Sequence, residues 1–90
     1  SGLNGPELTE EVEPLVDVVD AKDSVKVYAE LHGVEKEDIT LSATELSLTI
    51  SVPSDKRRYY KEVDLPSKVD PGSAKATYQN GVLGSASRRS

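Results

Sequence analysis

The sequence predicts an all-β protein, an immunoglobulin-like antiparallel β-sandwich. Three observations carry that expectation: an apolar/polar alternation of period two from residue 15 onward, turn-forming clusters at close intervals, and no segment with the 3.6-residue period of an amphipathic helix. Alternation of period two places successive side chains on opposite faces of a strand and marks a half-buried sheet. Six or seven such strands in 90 residues fit one sandwich with one core, which at this length buries roughly 60% of the unfolded chain's surface.

The elements follow in order. Residues 1–13 combine Gly, Pro and Glu with few large apolar groups, so they are expected as a mobile acidic tail ahead of a domain spanning 14–83. A short strand over 15–19 precedes Lys22-Asp23-Ser24, a connection tight enough for a hairpin. Val25, Val27, Ala29 and Leu31 then alternate with Lys26, Tyr28 and Glu30, and Leu46, Leu48, Ile50 and Val52 alternate with Ser47, Thr49 and Ser51. These are the two clearest strands, and Val25, Val27, Leu31, Leu48 and Ile50 are expected in the core, with Ile39 from the strand over 39–43. Residues 35–38 allow a single helical turn. Pro53-Ser54-Asp55 ends the central strand, Pro66 ends a strand over 59–65, and Asp70-Pro71-Gly72 turns the chain into a strand over 74–78. Asn80-Gly81 is the sharpest hairpin signal, because a type I′ turn needs positive φ at both central residues; Val82 and Leu83 begin the returning strand. Residues 84–90, Gly-Ser-Ala-Ser-Arg-Arg-Ser, have weak β-propensity and are expected as a truncated or engineered tail.

Composition removes whole classes of chemistry. Without Cys or Met there is no disulfide, thiolate nucleophile or Cys-based metal site, and His32 is the single histidine. No stretch approaches the ~20 apolar residues of a membrane-spanning helix, no targeting signal is visible, and with no initiator Met, Ser1 and Gly2 are expected to be remnants of processing. The chain is expected to be cytoplasmic, with no membrane partner. Residues 1–23 carry seven acids against Lys22 alone, a net of −6 in a chain of net −5, so nucleic acid is a poor partner. Lys56-Arg57-Arg58 and Arg88-Arg89 are read as a solvated loop tip and a free tail.

The inventory for catalysis is thin. His32 stands where a strand ends in a turn and is read as an exposed turn residue. Asp17, Asp20 and Asp23 have no metal-binding geometry on a strand, since Asp17 and Asp20 point to opposite faces. Neither a phosphate-binding G-x-x-x-x-G-K-[ST] loop nor a G-x-S-x-G nucleophile elbow is present. No cofactor, metal or enzymatic activity is expected. Of the adjacent pair Tyr59 and Tyr60, one faces inward and the other outward, while Tyr78 shares a face with Ala74 and Ala76.

Five segments in order resemble the alpha-crystallin domain of the small heat-shock proteins: PLVDVV at 14–19, VYAELHGVEKEDI at 27–39, LSLTI at 46–50, YYKEVDLP at 59–66 and ATYQNGVL at 76–83. The last contains the most specific piece, A-x-x-x-N-G-V-L. The resemblance departs from the family in three places. His32 stands where a proline is frequent, residues 53–58 replace a long excursion that holds an exchanged strand, and the C-terminal Ile-x-Ile anchor is absent. Six residues reach only ~20 Å fully extended, so a swapped dimer is not expected, and monomer or weak, salt-sensitive association through strand edges is.

The resemblance implies an ATP-independent holdase that binds partly unfolded client proteins. It also implies a groove between the strand over 39–43 and the strand over 74–78, lined by Leu41, Ala43, Ala76 and Tyr78, or by Thr40 and Thr77 if the facing shifts by one residue. The same side chains are equally compatible with plain core packing. Two other classes stay open: a monomeric co-chaperone or adaptor domain of the CS type, and a structural accessory such as a gas-vesicle or membrane-associated homologue.

Overall fold

The computed structural model describes residues 11–53 and 58–90. Among the described residues eight strands form two four-stranded sheets: β1 (Glu11–Val12), β6 (Arg58–Asp64), β5 (Ser47–Pro53) and β4 (Thr40–Ala43) in that order, and β2 (Val16–Asp20), β3 (Ser24–Glu30), β8 (Val82–Arg88) and β7 (Lys75–Gln79) in the other. Pairing is antiparallel except between β1 and β6. The chain crosses between sheets through residues 31–39, which contain a short 3-10 turn at Lys36–Asp38, and again through 65–74, with a second such turn at Pro71–Ser73. The second turn is capped by the Asp70 carboxylate, which accepts from the Gly72 N–H at 3.0 Å.

The alternation sets the layers. Val27, Ala29 and Leu83 of one sheet face Leu48, Ile50, Val52, Tyr59 and Val63 of the other, with Leu31 completing the core from the first crossover. Leu31, Ile50 and Val52 are fully enclosed, and complete burial of such a side chain is worth ~1.5–3 kcal/mol each. Val25, Leu48 and the other expected core residues are buried, but Ile39 is only half-buried, because it lies on the crossover just before β4. Leu46 also departs from the alternation. It sits 60% exposed in the β4–β5 turn, where the Thr44 hydroxyl accepts from the N–H of Leu46 and of Ser47.

Two hairpins follow the turn chemistry. The Ala21 N–H donates to Ser24 O between β2 and β3, and Asn80 (φ 53°) with Gly81 (φ 79°) turns β7 into β8. Gly81 is doubly constrained: its φ is in the left-handed region, and a Cβ there would collide with the His32 ring.

Both ends of the expected domain need correction. Residues 84–88 are not a tail. They continue β8 as the strand between β3 and β7, paired residue by residue from Val82↔Glu30 to Arg88↔Ser24. Two neighbouring strands with open ladder groups outweigh weak local propensity. Arg88 and Arg89 are likewise anchored, Arg88 to the Asp70 carboxylate at 3.2 Å, Arg89 to Asp20 at 3.3 Å and to Ala21 O at 3.1 Å. At the other end Glu11–Val12 pairs with Arg58 and Tyr59, and Glu13 meets Lys61 at 3.5 Å; the rest of the expected N-terminal tail, 1–10, lies outside the described residues, as do Lys56 and Arg57.

Candidate peptide groove

The two sheets leave one edge strand each along the same border of the sandwich, β4 from one and β7 from the other. Between them runs a cleft lined by Ile39 and Leu41 on one wall, by Ala76, Thr77 and Tyr78 on the other, and by Leu83 at its floor, with Lys36 of the crossover turn at its rim. Leu41 is in register with Ile50, and Tyr78 with Leu83, so each wall is an extension of the apolar core that the opposing sheet does not fully cover. Among the described residues no strand pairs with the outer edges of β4 and β7, whose backbone N–H and C=O groups are the template to which an extended chain adds.

Of the four residues expected to form this site, Leu41, Ala76 and Tyr78 come together around the cleft. Ala43 does not. It stands one inward-facing step further along β4, opposite Leu48, and packs half-buried against the core. Thr77 also borders the cleft. Ile39, Leu83 and Lys36 were not assigned to a groove from the sequence, where Ile39 and Leu83 read as core or strand start and Lys36 as turn; only the crossing of the chain between sheets brings them here.

Tyr78 ties the groove to the crossover. Its hydroxyl donates to Leu31 O at 2.6 Å, with Val34 O also within 3.1 Å. Burial raises its pKa above the ordinary 10.0, and the neighbouring Tyr59 and Glu35 raise it further. Tyr59, buried on β6 while Tyr60 points outward, donates to His32 O at 3.0 Å. The segment 31–34 is thus held by one phenol from each sheet. His32 itself is exposed, 3.2 Å from the Glu30 carboxylate. Asp17 and Asp20 point to opposite faces, and Asp20 is engaged by Ser67 and Arg89. No helix among the described residues is long and apolar enough to cross a membrane.

No family model matches the chain. Among curated proteins, heat shock protein 16 of Schizosaccharomyces pombe is 30% identical over 91 residues, covering 81% of this chain and 64% of that protein. The chain therefore spans less than two thirds of that relative's length. Among solved structures, heat shock protein 16.0 of Schizosaccharomyces pombe superposes with a TM-score of 0.78 at 28% identity, covering 94% of this chain and 72% of the other. The Del-C4 mutant of Hsp14.1 from Sulfolobus solfataricus gives 0.75 at 26% identity, with 89% and 78% covered. HspA of Xanthomonas axonopodis, at 21% identity, shares the fold with a TM-score of 0.75 over 87% of this chain and 94% of its own.

Proposed function

Because this chain is an alpha-crystallin-type domain of the small heat-shock protein family, we propose that it works as an ATP-independent holdase, keeping partly unfolded proteins from aggregating in the cytoplasm, and that it is not an enzyme. The observation that supports a binding role is the apolar β4–β7 cleft with Leu41, Ala76 and Tyr78 around it, flanked by two strand edges that are unpaired among the described residues. A client segment adds main-chain hydrogen bonds along an edge and sets alternate apolar side chains into the cleft, which gives broad and weak recognition. We place Ala43 in the same reading as a support for the β4 wall. The CS-type alternative is not favoured, since the relatives are small heat-shock proteins.

The test is light scattering from a heat-denatured client, with and without ATP. Suppression of aggregation should not depend on ATP and should fall in Leu41→Glu and Ala76→Glu, variants that put a charge into the cleft without removing a hydrogen bond. Undiminished activity in both, with the fold intact by circular dichroism, removes the groove from the account.

In solution we expect a monomer or a weak, salt-sensitive dimer. β5 and β6 pair within one chain down to Pro53↔Arg58, leaving only residues 54–57 as their connection, which supports a domain that lends no strand to a neighbour. Sedimentation equilibrium across salt and protein concentration decides this; a tight, salt-indifferent dimer or a large defined oligomer would contradict it.

A further inference from the structure

The outer face of the β2-β3-β8-β7 sheet carries a second surface, which meets the β4–β7 groove only at Thr77 of the edge strand β7. Register fixes its rows: Lys26, Ala86 and Lys75 lie side by side across β3, β8 and β7, then Tyr28, Gly84 and Thr77, then Glu30, Val82 and Gln79. Gly84 leaves the centre open. A Cβ there would stand 3.4 Å from Tyr28 Cε1 and 3.5 Å from Thr77 Oγ1, so the two side chains flank a shallow cleft whose far end is bounded by Lys26 and Lys75. Tyr28 also borders an adjoining hollow with Leu15, Val82, Asp17 and Glu30. Its apolar members are exposed, Leu15 at 71% and Val82 at 38%.

Charge sets the polarity of this surface. Among the described residues Lys22, Lys26, Lys36, Arg58 and Lys75 stand in no ion pair, and of these Lys26 and Lys75 are the two that the register places on one row of this face, either side of Ala86. Their Cα atoms stand two strand spacings apart, ~10 Å, within which two lysine side chains can converge on one carboxylate above Ala86. At the other end Asp17 and Glu30 repel an acid, while Leu15 and Val82 offer apolar contact.

We propose that this face is a docking site for an extended acidic peptide segment of another polypeptide, with a carboxylate side chain between Lys26 and Lys75 and an apolar side chain against Leu15 and Val82. The step from the Ala86 row to the Val82 row is four residues of strand, ~13 Å, so the acidic and apolar side chains are four residues apart and share one face of the peptide. Tyr28 and Thr77 hydroxyls serve the intervening backbone. Binding is weak and falls with salt, since Lys26 and Lys75 are exposed and their attraction for the carboxylate is screened.

The experiment is a titration of the isotope-labelled full chain, followed by amide chemical shifts, with a blocked pentapeptide of glutamate, three serines and leucine. A control peptide has lysine in place of glutamate, and inorganic phosphate is titrated separately. The glutamate peptide should shift the amides of Lys26, Tyr28, Lys75 and Gly84, and the control should not. Lys26→Glu with Lys75→Glu should weaken the affinity at least tenfold. Gly84→Val, which keeps both charges but fills the cleft, should weaken it comparably. Shifts centred on Leu41 and Ala76, unchanged affinity in either variant, or equal shifts from inorganic phosphate alone would each overturn the proposal.

Discussion

Ser85 and Ser87 stand at inward-facing positions of β8, 5% and 7% exposed, paired opposite the buried Val27 and Val25. Among the described residues neither hydroxyl makes a hydrogen bond. A buried hydroxyl without a partner costs ~1–3 kcal/mol, and Ala removes that cost while giving up only one atom of packing, roughly 0.5 kcal/mol. Ser85→Ala and Ser87→Ala should therefore each stabilise the domain by about 1 kcal/mol. The two sites are neighbours on one strand face, so the double variant should gain more than either single one but need not reach the sum of about 2 kcal/mol. For a domain of this size each kcal/mol raises Tm by roughly 4–8 °C. Urea unfolding followed by circular dichroism should show the midpoint rising with the slope unchanged, because the surface exposed on unfolding hardly differs. Ser42→Ala, at an exposed site of β4, is the control and should stay within about 0.5 kcal/mol of the parent. If both β8 variants lose stability while the control is neutral, the hydroxyls are satisfied in solution and the reasoning fails.

Tyr78→Phe should cost about 1–2 kcal/mol in urea unfolding, since it strands the acceptors Leu31 O and Val34 O; a change under 0.3 kcal/mol would mean that those carbonyls find water. The same hydroxyl gives a pH dependence. Its folded pKa is raised, so the native state holds the proton more tightly, and its contribution is fully present below the unfolded value near 10.0 and lost as pH rises through the folded one. Phenolate absorbance should show an ionisation above the ordinary 10.0 that is absent in Tyr78→Phe. Gly81→Ala should destabilise by about 2 kcal/mol, from left-handed backbone and the collision with the His32 ring. Adding His32→Ala should recover the collision part, and a fully additive double-mutant cycle would refute that contact.

The sequence by itself determined the β-class, the positions of β3 and β5, the Asn80-Gly81 hairpin and the inward placing of most core residues. Those features rest on local physics: strand periodicity acts on neighbouring side chains, and a turn of positive φ selects Asn and Gly at the site where it occurs. Of the groove, Leu41, Ala76 and Tyr78 were legible through resemblance, because their strands are readable one by one. What remained was decided by the tertiary structure. Residues 84–88 have no apolar alternation, and they are a strand because β3 and β7 each offer a ladder that nothing else fills. Ala43 looks like Leu41 along the chain, yet lies outside the cleft because β4 pairs it opposite Leu48. Lys36 and Ile39 enter the groove, and Arg89 finds Asp20, across separations that no local pattern encodes. Sheet pairing and the crossing between layers are long-range choices, made by the summed burial and hydrogen bonding of the whole sandwich rather than by any segment's own preference.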